Sequence, residues 1–385
     1  MTIYLIVFIA IMSHLAHSGS RVAVTLYALH LGANQMTVGV LVALYALCPM
    51  LLSVFIGRFA DRVPPRLPMI VGTLGIGLAL ILPAVFPGIP VLYVSAFIIG
   101  LFNQFFNLPL EAAVGGIGGA EHRVRNYAVL GMGWSVASFL GPLITGFSID
   151  FIGHRSAFLV LAAFTTIPVI FMWLKPDMLP RVARHSSGKK PGSIVELIRI
   201  PPLRTTLIAG SIVISAWDLF QFYLPIYGHS VGLSASVIGT ILGLVSAATF
   251  VVRGIVPFLT KRLTEAEILS YSIFISALPF VLMPFFVDAY ALAAIGFLLG
   301  LGVGCANPMG MSLLYVLTPE GRVAESMGLR KTVNHSTHLV IPLIFGSVGS
   351  AFGFATVFFS NAVMLTIGGF LMSKARIPTI AQRPE

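Results

Sequence analysis

The sequence predicts an all-α membrane protein of twelve transmembrane helices, arranged as two parallel six-helix repeats. Three observations lead there: an apolar content no water-soluble domain could cover, a series of apolar runs of helix length, and a self-match at a spacing of 200 residues. With 57% hydrophobic and 9% charged residues and a mean hydropathy of +0.97, too little polar surface exists to face water on all sides. Runs such as 3–16, 36–56, 70–86, 268–287 and 354–372 approach or reach the twenty or so residues that, at ~1.5 Å per residue, cross the hydrocarbon core. Strand-like alternation is absent, which excludes a membrane barrel. The self-match needs no gap: Gly32, Gly39, Arg62, Gly100 and Asn107 meet Gly232, Gly239, Arg262, Gly300 and Asn307. Pro142, Leu143, Ile144 and Gly146 meet Pro342, Leu343, Ile344 and Gly346. Two copies in one orientation create an interface, and a midplane site is expected there.

The first six spans centre near residues 16, 46, 77, 102, 138 and 165, the second six near 216, 246, 277, 303, 338 and 364. The division follows: 1–174 is an N-terminal six-helix bundle, 175–202 a Pro- and Ser-containing cytoplasmic linker, and 203–385 a C-terminal six-helix bundle with a short cytoplasmic tail. The first span is too long, and too polar at its far end, for a cleaved signal peptide. Assigning Lys and Arg to the loops places eighteen on one side against Arg155 alone on the other, so both termini are expected in the cytoplasm. The net charge of +10 then reflects topology and lipid headgroups, and no nucleic-acid partner is expected. Cys48 and Cys305 fall inside spans and are read as packing residues.

Ionisable side chains inside spans are costly and therefore functional candidates. On the first span His14, His17 and Arg21 share one helical face. Arg21 either holds a carboxylate or phosphate of the solute or pairs with Asp218 of the seventh span, which the repeat places at nearly the same depth. If they pair, a proton on Asp218 frees Arg21. Trp217 and Gln221 flank Asp218. In the fourth span Asn103, Asn107 and Glu111 form a polar stripe; Asn107 and its mate Asn307 either line a midplane site or bond backbone freed by Pro109 and Pro308. The eleventh span brings Arg330, Lys331, Asn334, His335 and His338. His17 and His338 are candidate proton carriers, or else structural histidines. The substrate-contact candidates are thus His17, Arg21, Asn107, Trp217, Gln221, Asn307, Asn334 and His338, and the proton-coupling candidates Asp218, His17 and His338.

The loop after the second span reads Gly57-Arg58-Phe59-Ala60-Asp61-Arg62-Val63-Pro64-Pro65-Arg66 and resembles the Gly-x-x-x-Asp-Arg-x-Gly-x-Arg element of the major facilitator superfamily, with Pro64 in place of a glycine. The resemblance covers the whole chain and implies the major facilitator fold. It also implies a cytoplasmic gate of Gly57, Asp61, Arg62 and Arg66, to which Glu111 is added as a partner near the inner end of its span. The fifth span, Ala137 to Gly146, is similar to a degraded exporter element of that family, and packing explains it equally well. The fourth span has Asn103-Gln104 where drug/proton antiporters of the family usually place an arginine, which argues against a standard multidrug exporter.

No phosphate-binding loop, zinc spacing or Ser/His/Asp grouping is present, so an enzyme, an ATP-driven pump and a metal or other cofactor are not expected. The expected protein is a secondary active transporter of a small polar or anionic organic solute, working by alternating access with protons and leaning to export. Its expected setting is a bacterial inner membrane, as a monomer whose partners are solute, protons and lipid. The alternatives are a proton-coupled importer of an organic acid or sugar, and a non-transporting receptor or scaffold on the same fold.

Overall fold

In the computed structural model the described residues are 2–60, 63–117, 120–175, 194–319 and 322–375. They form thirteen α-helices: α1 (Thr2–His30), α2 (Gln35–Ala60), α3 (Arg66–Val85), α4 (Ile89–Gly116), α5 (Ala120–Ile152), α6 (His154–Leu174), α7 (Ile194–Arg199), α8 (Pro201–Ser230), α9 (Ala235–Leu259), α10 (Glu265–Leu282), α11 (Ala289–Leu317), α12 (Val323–Phe352) and α13 (Phe354–Ser373). All but α7 match the spans expected from sequence. Eleven are long and apolar enough to cross a membrane. The long helix that falls short is α12, which is diluted by Glu325, Arg330, Lys331, Asn334, His335 and His338.

The helices show why they need a lipid surround. On α3 the residues Leu67, Val71, Leu74, Leu78, Ile81 and Val85 are all exposed, recurring at three and four to make one apolar stripe. The opposite face buries Gly72, Thr73, Gly75 and Ile76. Small residues turn inward so that backbones approach closely, and large apolar ones turn toward lipid.

Duplication survives in backbone detail. The α1–α2 turn closes with Ala33 N–H donating to Ala28 O (2.9 Å), and the α8–α9 turn with Leu233 N–H donating to Gly228 O (2.8 Å). Each is a Schellman closure whose left-handed residue is a glycine, Gly32 at φ 82° and Gly232 at φ 83°. The tightest crossings repeat as well. A Cβ on Gly100 of α4 would lie 2.6 Å from Tyr45 O of α2, and one on its mate Gly300 of α11 would lie 2.3 Å from Val245 O of α9.

The chain forms two compact units. One contains Met1–Ser186 and Phe222–Gly243, the other Ser187–Gln221 and Leu244–Glu385. The end of α8 and the start of α9 therefore cluster with the first repeat, although the covalent repeat assigns them to the second. In the first unit α1 packs on α5 and α6, α3 on α4 and α6, and α2 on α4. Near the start of α1 these close over Ile6, Ile9, Phe106, Leu110, Leu130 and Met172. In the second, α10 packs on α11 and α13, and α12 on α13.

Two arginines brace the first unit. At the start of α3, Arg66 donates from Nε to Met172 O (2.7 Å) and from Nη2 to Trp173 O (3.2 Å) at the end of α6. At the start of α6, Arg155 donates from Nε to Ala84 O (2.9 Å) at the end of α3, and from Nη2 to Ala84 O and Val85 O. Each helix's unpaired terminal carbonyls are thus satisfied by the other's arginine, with charge of the sign the helix dipole favours.

Part of the segment read as linker is ordered helix. Within it α7 buries Leu197 among Leu203, Leu207, Leu314 and Leu329, and Glu196 pairs with Arg322 at 2.8 Å. Further along the chain, α10 starts with a capping box: the Thr264 side chain accepts from Glu267 N–H while Thr264 N–H donates to Glu267 Oε2. We expect Thr264→Ala to cost about 1 kcal/mol, read as a lowered midpoint in thermal unfolding of the detergent-solubilised protein; an unchanged midpoint would show that the cap adds nothing.

Candidate functional site

In the first unit the α1 face read from sequence meets α5 and α2. His14 and His17 rings are 5.8 Å apart, His14 lies 6.2 Å from Trp134, and His17 makes an edge contact with Tyr45 at 5.6 Å. Ser138 Oγ is 3.5 Å from His14 Nε2, and Tyr45 donates to Ser20 Oγ at 3.2 Å. Arg21 is half-buried one turn further along. His14 Nδ1 and Trp134 Nε1 are both buried here. Trp134, Ser138 and Tyr45 escaped the sequence reading. The first two stand four apart on the span read only for its glycines and proline, and that spacing is the signal that points to them. On α4, Asn107 donates to Asn103 Oδ1 at 2.9 Å, so the expected stripe bonds within itself.

In the second unit Asp218 of α8 and His338 of α12 come together. His338 Nδ1 is hydrogen-bonded to Asp218 Oδ2, and the aspartate side chain is completely buried while the histidine is 35% exposed. His335 stands one turn away, its ring 6.2 Å from that of His338. Trp217, Gln221 and Asn334 are half-buried. Asn307 is exposed and accepts a hydrogen bond from Arg330 Nη2.

Sequence reading named Asp218 and His338 separately, and the repeat explains their meeting. Their mates are Ser18 and Ser138, and Ser18 Oγ donates to Ala137 O at 3.1 Å across the equivalent α1–α5 contact. The same crossing carries serines in one copy and an acid–base pair in the other.

Of the gate residues, Asp61 and Arg62 lie outside the described residues, and Gly57 falls in the last turns of α2. Arg66 is engaged with the end of α6, as described. The Glu111 backbone carbonyl accepts from Tyr127 Oη at 3.1 Å. Among the described residues no group of three or more His, Cys, Asp or Glu side chains is placed to hold a metal ion.

Comparison with known proteins supplies the context for this geometry. The sequence model of the Major Facilitator Superfamily matches residues 6–289. The chain is 23% identical over 355 residues to the multidrug resistance protein MdtG of Dickeya zeae, covering 86% of this chain and 82% of that one. It is 23% identical over 241 residues to the multi-drug resistance efflux pump PmrA of Streptococcus pneumoniae, covering 61% and 60%. Among solved structures a peptide transporter POT superposes with a TM-score of 0.82 at 15% identity, covering 96% of this chain and 93% of that one.

Proposed function

The chain belongs to the Major Facilitator Superfamily, and from that premise we propose that this multi-pass transporter exports a small polar or anionic organic solute in exchange for protons. The observation that carries the proton assignment is the buried Asp218 hydrogen-bonded to His338. In a membrane-spanning bundle such a pair is expensive to maintain, and proton relay is the use that repays that expense. A proton that neutralises Asp218 weakens its hold on His338, and α8 and α12 are then free to change partners. Alternating access follows when that change is tied to which side the solute sees.

Export is favoured by the relatives, a multidrug resistance protein and an efflux pump. The polar candidates of each unit suit such a solute. Arg21 offers a bidentate grip to an anionic group, and His17, Asn107, Trp217, Gln221, Asn307, Asn334 and His338 offer hydrogen bonds and a ring face. The Asn103-Gln104 pair in the fourth span separates the chain from antiporters with an arginine there, and supports a narrower solute range than the relatives' names carry. Gly57, Asp61, Arg62, Arg66 and Glu111 complete the proposal as the cytoplasmic gate. It works as a monomer in a bacterial inner membrane with both termini inside.

The test is reconstitution in liposomes with a pH dye in the lumen and a panel of organic anions, zwitterions and cations outside. A solute gradient of one class should move protons the opposite way. Solute flux at full rate with no proton movement would sink the coupling, and proton movement driven only by cations would sink the solute class.

A further inference from the structure

We infer that the α1 face of the first unit is built for a planar aromatic carboxylate, with Trp134, His14 and His17 as the ring platform and Arg21 as the partner of the acid group. Four rings form an unbroken row there. Trp134 of α5 lies 6.2 Å from His14, His14 lies 5.8 Å from His17, and His17 meets Tyr45 of α2 at 5.6 Å. The row ends beside the cation, because Tyr45 donates at 3.2 Å to the hydroxyl of Ser20, the residue before Arg21. Arg21 lies within electrostatic range of both Tyr45 and His14.

The scaffold fixes this row. α1 and α5 cross in close contact: a Cβ on Gly19 would lie 2.6 Å from Thr145 Oγ1, and one on Gly141 would lie 2.8 Å from Leu15 O. The Ser138 hydroxyl stands 3.5 Å from His14 Nε2, and the bond to Ser20 orients Tyr45. Groups held in advance lose less freedom when a solute arrives. Trp134, His14, His17 and Arg21 are each half-buried, so part of every one stays accessible. Charge and shape then select the solute. A ring gains from offset or edge contact with other rings beyond the area it buries. A ring carrying a cation would meet the guanidinium charge, whereas a carboxylate is held by two parallel hydrogen bonds. From His14 to Arg21 the helix rises about 10 Å, which suits two fused rings with an acid at one end. The arrangement belongs to one copy of the duplication. Moving 200 residues along the chain, Trp134, His14, Tyr45 and Arg21 become Asn334, Ile214, Val245 and Gln221, so the shared scaffold does not require it.

The inference deepens and rests on the proposed transport of an organic anion, but its first test needs no transport. The full chain in lipid nanodiscs is dialysed to equilibrium against radiolabelled naphthoate at about pH 7.5, where a carboxylate is ionised, with empty nanodiscs subtracted. Cyclohexanecarboxylate, naphthylmethanol and naphthylmethylammonium are the competitors. Naphthoate should bind at least about tenfold more tightly than each of them. Arg21→Gln should weaken naphthoate about tenfold and leave naphthylmethanol as it was. Trp134→Leu should bring naphthoate down to the level of cyclohexanecarboxylate, and Trp134→Phe should restore most of the difference, which a misfolded variant could not. No saturable binding of naphthoate, or equal displacement by cyclohexanecarboxylate, would overturn the ring platform. Displacement by naphthylmethylammonium as strong as by unlabelled naphthoate would overturn the acid's partner. An unchanged naphthoate affinity in either Arg21→Gln or Trp134→Leu would remove that residue from the site. Counterflow in liposomes separates the two readings. Naphthoate bound but not carried would sink the transport reading and keep the site; aliphatic acids carried by a protein that does not bind naphthoate would do the reverse.

Discussion

Asp218→Asn is expected to abolish uphill transport while leaving solute exchange across the membrane in place. Asparagine has nearly the volume of aspartate and still offers His338 a carbonyl oxygen, so the α8–α12 contact keeps its shape. It cannot bind and release a proton. The driven concentration ratio should therefore fall to about one, the passive limit, because a coupling free energy needs a group that both ligands influence. Exchange of labelled for unlabelled solute needs no net proton movement and should continue. The measurement is paired: accumulation under an imposed pH gradient, and counterflow without one, in the same liposomes. Loss of both would mean that Asp218 supports the fold and not the coupling. Retention of both would place the proton elsewhere. His338→Gln is the milder partner, expected to shift the pH dependence of transport without removing it, since the carboxylate remains.

Gly300→Leu is expected to prevent assembly of the second unit, and Gly100→Leu that of the first. At both positions a side chain would begin inside the van der Waals shell of a backbone carbonyl, 2.3 Å from Val245 O and 2.6 Å from Tyr45 O. Flexible side chains can yield, but a helix backbone cannot without moving as a whole. Overpacking of an ordinary core costs about 1–3 kcal/mol, and a backbone obstruction belongs at or beyond the upper end of that range. Loss of the monodisperse peak in size-exclusion chromatography is the readout. Gly310→Leu is the matched control on the same helix, since a Cβ there meets nothing within 4 Å. A Gly300→Leu protein as well behaved as that control would show that α9 and α11 can part freely.

Much of the architecture was legible because a membrane leaves the chain few choices. Backbone groups in lipid must be satisfied within a helix, so apolar length alone locates the spans; the 200-residue register reveals the duplication, while the compact units place Phe222–Gly243 with the first repeat. The glycines of the turns and crossings were visible as repeat pairs before their contacts were known. What stayed hidden depends on where helix ends and faces meet. Arg66 and Arg155 were read as a gate residue and a topology marker, and nothing in their spacing reveals that each closes the other's helix. Depth matches Asp218 to Arg21, and nothing in the sequence announces its hydrogen bond to His338, which joins residues 120 apart whose mates are two plain serines. The polarity of α12 was seen residue by residue, but not that the sum makes it less apolar than its eleven long neighbours.

The crossed arginines of α3 and α6 also set a length. These antiparallel helices have 20 and 21 residues, about 30 Å each at ~1.5 Å per residue, which is the thickness of the hydrocarbon layer. Sliding one helix along the other by a single residue, about 1.5 Å, would shift both guanidinium groups off their carbonyls in the same sense. The pair is therefore a fixed gauge, anchored at opposite headgroup planes, and the lengths of the two helices are bound together. A residue inserted into either one has to be matched in its neighbour. In a thicker or thinner bilayer the accommodation falls to tilt and to the surrounding lipid, with the height of this pair unchanged.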